Sequence, residues 1–257
     1  MNRRKSLAAL MGTAFFSIGL AAAGTAYAAP AKAAGTGAVQ AAHRPAQSYG
    51  PGVTWSVEQL DAAKEHDQLI VVVGEGEDSQ RAEVSFYQKN EDGSWTEEFT
   101  VDGFVGRNGS SGEKREGDEK TPTGIYAFTL AFGVKEDPGA KLPYHQIDKN
   151  DYWVDDGDSA YYNLLVNTDD VVKDWDSAEH LSSIVPFYNY CLALDYNSER
   201  IPGKGSAVFL HCMELDAVIG TGGCVKIPEE QMRALVQTVD GDCRIIIVSE
   251  RDDLSGY

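Results

Sequence analysis

No aspartate or glutamate occurs before Glu58, although the 257-residue chain holds 40 of them against 22 lysines and arginines. Positive charge is the scarcer kind, and a net charge of −18 excludes nucleic acid as a partner, because phosphate backbones repel such a surface. Cysteine is scarce as well. Four cysteines, none of them in a CxxC pair, exclude both a disulfide-dense scaffold and a structural zinc site of the paired-cysteine kind. What the chain does have is apolar residue: 42% is enough for a proper core, so a disordered scaffold is excluded too, and the length suits one large domain or two small ones.

The acid-free beginning divides in two. Arg3, Arg4 and Lys5 precede an apolar run over residues 7–23, and Ala26-Tyr27-Ala28 supplies the small residues at which a signal peptidase cuts. Residues 1–28 are therefore expected to be a signal peptide. A retained membrane anchor is the alternative, the apolar run being about the shortest that spans a bilayer. Membrane contact is expected only through such an uncleaved segment. Export makes the protein extracellular or wall-associated, and makes disulfides permissible. Residues 29–66 begin as an Ala/Gly/Pro-rich stretch and are expected to be a flexible tether. A domain over 67–250 and a tail over 251–257 complete the expected division.

Within the domain the pattern is mainly β. Leu69 to Val73 form an unbroken apolar run closed by Gly74, a buried strand. Residues 82–88 and 95–101 alternate on either side of the turn Asn90-Glu91-Asp92-Gly93, a meander. Residues 106–120 are polar and Gly-rich, a loop. Thr121-Pro122-Thr123-Gly124 then launches a strand over 125–130, and further strands are expected over 190–196, 207–212 and 243–249. One helix is legible, over 228–239: Pro228 and two glutamates suit its positive end, and Met232, Leu235, Val236 and Val239 make one apolar stripe. Residues 134–186 are acidic and aromatic without obvious strands, and an α-helical or irregular insertion is expected there, serving as a lid or binding wall. Asp155-Asp156-Gly157-Asp158 invites a calcium reading but lacks the spacing and closing glutamate of an EF-hand loop, so no metal is expected.

The chemistry lies near the C-terminus. His211 ends a strand, and Cys224 leaves the turn Thr221-Gly222-Gly223 thirteen positions later. A cysteine nucleophile needs a base, an exposed thiol and donors for an oxyanion. His211 is the expected base, in a thiolate–imidazolium pair that would lower the cysteine pKa. The Gly223 and Cys224 amides are the expected oxyanion donors. From the residues alone, a structural Cys224 and a core His211 stand as the alternative, and His145 and His180 are the next bases in line.

Taken together, the histidine strand, Thr221-Gly222-Gly223-Cys224-Val225, the upstream Thr121-Pro122-Thr123-Gly124-Ile125-Tyr126 and the leader-plus-tether layout resemble the L,D-transpeptidase (YkuD-type) catalytic domain. The resemblance implies a β-sandwich-like fold with the cysteine in a cleft, a cysteine acyltransferase without cofactor, and peptidoglycan stem peptides as donor and acceptor. Cys224 would attack the third stem residue's carbonyl and expel the terminal D-alanine, His211 would move the proton, and an amine on a second stem would resolve the thioester into a cross-link. Such enzymes belong to cell-wall biogenesis and cell shape. Thr221, Gly222, Lys226 and Tyr126 would bind substrate or shape the loop. Gly222 stands where many members carry histidine, and Lys226 where many carry arginine or asparagine. Water as acceptor would make the protein an L,D-carboxypeptidase or endopeptidase, and a structural cysteine would leave a wall-binding module. A monomer is expected.

The remaining cysteines suggest a bond. A hairpin folded symmetrically about Ile201–Pro202 would set Cys191 opposite Cys212, close enough for a disulfide after local twist.

Overall fold

In the computed structural model residues 55–214 and 216–257 are described; the leader and most of the tether lie outside the described residues. The central strand β1 (Gln68–Gly74) is buried at every position. An unbroken apolar run requires cover on both faces, and both are covered. Ile70 and Val72 enter the main core, whereas Leu69, Val71 and Val73 meet Val57, Leu60 and Ala63 from before the strand and Leu254 from the C-terminus. The short helix α1 (Ala62–Glu65) and the C-terminal 3-10 segment Arg251–Gly256 are therefore part of the folded body. This moves the expected boundaries: the tether does not run to residue 66, and residues 251–257 are not a loose tail.

β2 (Arg81–Lys89) and β3 (Trp95–Phe104) form the hairpin, bulged between Phe86 and Tyr87. In the Gly-rich loop, β4 (Ser110–Ser111) pairs with β5 (Thr121–Pro122), and β6 (Gly124–Gly133) follows. The insertion contributes β7 (Tyr144–Gln146), β8 (Asp151–Val154), β9 (Leu165–Asn167) and β10 (Ala178–His180). Then come β11 (Cys191–Leu194), β12 (Phe209–Met213), β13 (Val225–Pro228), α2 (Glu229–Thr238) and β14 (Arg244–Val248). The main sheet runs β11-β12-β13-β3-β2-β1-β14-β6-β7, and β11 also pairs with β6, closing it on itself. Met232, Leu235 and Val236 of α2 pack into the same core as Ile70, Val84, Leu210 and Ile245. The fold is mainly β, with α2 the one long helix among the described residues.

Two expectations change. The insertion is not α-helical. It holds a three-stranded sheet ordered β10-β8-β9, with Val154, Val166 and Trp175 as a core of its own. Its strands are three or four residues long, too short to show a period, and aspartates cap the turns between them. Asp151 accepts from the Asp148 amide and Asn167, and Asp156 accepts from the Asp158 and Asp176 amides. The run suggestive of calcium thus caps turns.

The second change is one of register. Cys191 lies opposite His211, not Cys212. The link between β11 and β12 is not a symmetric hairpin loop, since Asn197, Arg200, Gly203, Gly205 and Ala207 all take positive φ and fold it into successive turns. A one-residue slip reverses which face a side chain meets. Cys191 accordingly packs with Phe209 and Cys212 with Leu210, in different clusters, and all four cysteines are free.

Candidate active site

Parallel pairing of β12 with β13 sets Leu210 beside Val225 and His211 beside Lys226. The turn that enters β13 is thereby laid against the start of β12. The Phe209 amide donates to Cys224 Sγ at 3.3 Å, and the thiol donates to the Ala207 carbonyl at 3.2 Å. Ala207 has φ +51°, a strained value for alanine, and its amide donates to Asn163 Oδ1 in the insertion. Trp153, also from the insertion, packs edge-on to Phe209 at 4.7 Å. The insertion therefore buttresses the floor under the thiol.

The turn itself is held by hydroxyls. Thr221 Oγ1 accepts from the Gly223 amide at 3.0 Å and donates to the Cys224 carbonyl at 2.6 Å. The same carbonyl accepts from Thr121 Oγ1 at 3.0 Å, and Thr121 Oγ1 accepts from the Gly106 amide. Thr121, the first residue of the Thr-Pro-Thr-Gly turn, is fully buried. Its part in the site is to clamp the cysteine turn, which the spacing of that motif did not announce. Gly223 has φ +147°, and a Cβ there would lie 2.9 Å from Lys114 Nζ and 3.1 Å from the Lys120 carbonyl. Gly222 is exposed and a side chain there would meet nothing.

Cys224 and His211 line one pocket of about 320 Å³, together with Lys114, Glu116, Glu179 and Tyr188. A larger cleft, about 510 Å³, lies beside Ser249 and Tyr257 and contains neither group. His211 Nδ1 is 2.7 Å from the Cys212 carbonyl. A carbonyl only accepts, so Nδ1 carries the proton and Nε2 is the basic nitrogen. Burial holds His211 down to about 4, against the pull of that bond and aided by the Lys226 charge. Burial likewise pushes the Cys224 thiol up to about 12, helped by Glu179 and opposed by the Phe209 amide and Lys114. The resting site thus holds a neutral thiol and a neutral imidazole, not the ion pair expected from the sequence. Desolvation favours the neutral form of each buried group.

The Gly223 amide differs from expectation as well. It is already donated to Thr221, which leaves the Cys224 amide as the backbone donor of the expected pair. Lys226 is buried and paired with Glu214 at 3.0 Å, between the rings of Phe104 and Phe187, outside the pocket. Tyr126 donates to the Thr123 carbonyl and closes the turn below it. His145 pairs with Asp151, and His180 stacks on Tyr152 at 4.6 Å. Neither lines the pocket.

Two groups escaped the sequence reading. Glu179 of β10 accepts from the Tyr188 hydroxyl, and Tyr188 packs edge-on to His211 at 5.4 Å. Burial raises the Glu179 carboxyl to about 7, with Asp155 and Glu116 adding to the rise and the Tyr188 hydroxyl opposing it. Lys114, from the Gly-rich loop, is the other; its side chain is 3% exposed.

The family model of the L,D-transpeptidase catalytic domain (YkuD) matches residues 68–247. No curated protein matches the chain. Among solved structures it is similar to the helical cell shape determining protein Pgp2 from Campylobacter jejuni, at 18% identity and a TM-score of 0.38, covering 72% of this chain and 49% of that one. It is also similar to the Enterococcus faecium L,D-transpeptidase C442S mutant, at 14% identity and a TM-score of 0.34, covering 71% and 50%. The L,D-transpeptidase (Yku) from Stackebrandtia nassauensis matches at 15% identity and a TM-score of 0.34, covering 77% and 62%. The chain spans about half the length of the first two.

Proposed function

Starting from a chain that belongs to the L,D-transpeptidase (YkuD) catalytic-domain family, we propose that it cross-links peptidoglycan by acyl transfer through Cys224, as an exported protein acting at the cell wall. The observation that carries this reading is the shared pocket, which Cys224 and His211 both line, the cysteine on a turn held by Thr121 and Thr221 and the histidine with Nε2 as its basic nitrogen.

In the first half-reaction Cys224 Sγ forms a bond to the carbonyl carbon of the third stem residue while its proton passes to His211 Nε2. The neutral imidazole suits this, because a base already protonated could not accept. The tetrahedral oxyanion collapses, the carbon–nitrogen bond breaks, and the departing D-alanine amine takes the proton from His211. In the second half an acceptor amine attacks the thioester, His211 takes its proton, and the thiolate leaves and is reprotonated. Glu116, Glu119, Asp155 and Glu179 line the pocket against one lysine. That surplus of carboxylates draws in a cationic acceptor, which sheds one proton to solvent before its amine attacks.

The test is mass spectrometry of the purified chain incubated with a tetrapeptide stem ending in D-alanine, with and without an amine acceptor. The expected result is a thioester on Cys224 with D-alanine released, then a cross-linked product. Tripeptide without cross-link in the presence of excess amine would make the protein a carboxypeptidase. A Cys224→Ala chain that still turned over would end the nucleophile assignment.

A further inference from the structure

An oxyanion site needs donors that are not already committed, and here the Gly223 amide is committed to Thr221 Oγ1 at 3.0 Å. A different donor stands beside it. The Lys114 side chain runs between two glycines. A Cβ on Gly205 would lie 3.0 Å from Lys114 Cε, and one on Gly223 would lie 2.9 Å from Nζ and 3.3 Å from Cε. Both glycines have positive φ, +104° and +147°, so neither position readily accepts a side chain that would push the lysine away. Lys114 also lines the pocket that holds Cys224 and His211.

The ammonium is anchored without being fully used. One proton goes to Asp118 Oδ1 at 3.0 Å and a second to the Arg115 carbonyl at 3.4 Å. Asp118 is fixed in turn by the Lys120 and Arg115 amides. Burial alone would raise its carboxyl; those amides and Lys114 outweigh that and hold it low. A lysine has three donors. The third has no protein acceptor among the described residues, and the Gly223 turn is the surface it stands against.

We propose that Lys114 is a catalytic residue of the acyl transfer, its free ammonium proton donating to the oxyanion of the tetrahedral intermediate in place of the Gly223 amide. The proposal rests on the acyl-transfer reading above. As the Cys224 sulfur–carbon bond forms, the carbonyl π pair moves onto oxygen and meets the ammonium; the lysine keeps its proton, and the pair returns to carbon when the leaving amine departs. A buried cation, 3% exposed in its side chain, acts where little water screens it. Its field also reaches the thiol, where the Glu179 charge opposes it.

The test compares the purified wild-type chain with Lys114→Met and, because an apolar end beside Asp118 could unfold the loop, Lys114→Gln. Thioester formation on Cys224 is followed by intact mass against concentration of the tetrapeptide ending in D-alanine. The maximal rate is expected to fall ~10²–10³-fold, the loss typical of one oxyanion donor, with the half-saturating concentration moved less than about threefold. In parallel, iodoacetamide labelling of Cys224 from pH 6 to 10 requires no substrate. The thiol, which burial already pushes up to about 12, is expected to be labelled more slowly at every pH in either variant than in wild type, with His211, Glu116, Glu119, Asp155, Glu179 and Tyr188 the other titratable groups lining the pocket. A maximal rate within about fivefold of wild type in a folded variant overturns the proposal. So does a loss borne by the half-saturating concentration, which would make Lys114 a holder of the substrate carboxylate. If wild type forms no thioester at all, the acyl-transfer reading fails, and an unshifted labelling profile then overturns the lysine's role separately.

Discussion

The two walls of the pocket are built on opposite principles. One is the cysteine turn, where short side chains and glycines fix a backbone: Thr121 and Thr221 share the Cys224 carbonyl, and Lys114 stands against Gly223. The other comes from the insertion and the segment just after it, where Tyr188 supplies aromatic bulk and Glu179 and Asp155 supply negative charge. The first wall positions the nucleophile and offers it a cation. The second carries the Glu179 charge, which adds to the effect of burial in raising the thiol. Reactivity is therefore set by the difference between the walls, and variants on each should move it in opposite directions.

The largest effect is expected at the base that serves both. His211→Ala should lower the rate of thioester formation ~10²–10⁴-fold, the usual worth of positioned general-base catalysis. Measured by single-turnover mass spectrometry, a loss under tenfold would move the base elsewhere. Next is the turn. Gly223→Ala puts a Cβ against Lys114 Nζ and the Lys120 carbonyl at a φ that only glycine adopts freely. Misplacement of the turn should cost ~10²-fold in rate, while near-ultraviolet circular dichroism stays that of the folded chain. Thr221→Val removes one of two donors to the Cys224 carbonyl and frees the Gly223 amide. A thermal melt should show roughly 1–2 kcal/mol of lost stability, with a rate loss of about tenfold.

The same contrast explains what could be read from the sequence. The turn wall is local in the chain: Thr221 to Cys224 are contiguous, and the cysteine and histidine stand out by residue type. The frame was legible for the same reason, since Leu69–Val73 and the Met232–Val239 stripe carry their period within a few residues. Lys114 was not legible. It sits in a run of charge, Glu113-Lys114-Arg115-Glu116, that reads as solvated loop, and only the packing of that loop over Gly205 and Gly223 buries it. Glu179 lies in a three-residue strand that exists by virtue of its pairing with β8. The Cys191 register failed because the turns between β11 and β12 come from positive-φ residues, such as Arg200 and Ala207, that composition does not flag. Non-local closure decided all three.

The smallest effect, and the one of opposite sign, belongs to the acidic wall. Glu179→Gln keeps the size and the bond to Tyr188 but removes a charge that opposes the Cys224 thiolate. Removing that charge lowers the thiol pKa, so iodoacetamide labelling of Cys224 at pH 8 should run roughly tenfold faster in the variant. The gain should fade below pH 7, where wild-type Glu179, raised to about 7, is itself protonated. Stability supplies the second arm. A carboxyl whose folded pKa lies above its unfolded value of about 4.5 contributes stability that is complete below pH 4.5 and is lost as pH rises through 7. Melts at fixed ionic strength should therefore show wild type losing stability relative to the Gln variant between pH 4.5 and 7, and running parallel to it above. A difference that is flat across that range would mean Glu179 ionises as an ordinary carboxylate, and its charge would then oppose the thiolate throughout the neutral range, so that the labelling gain of the Gln variant would persist below pH 7.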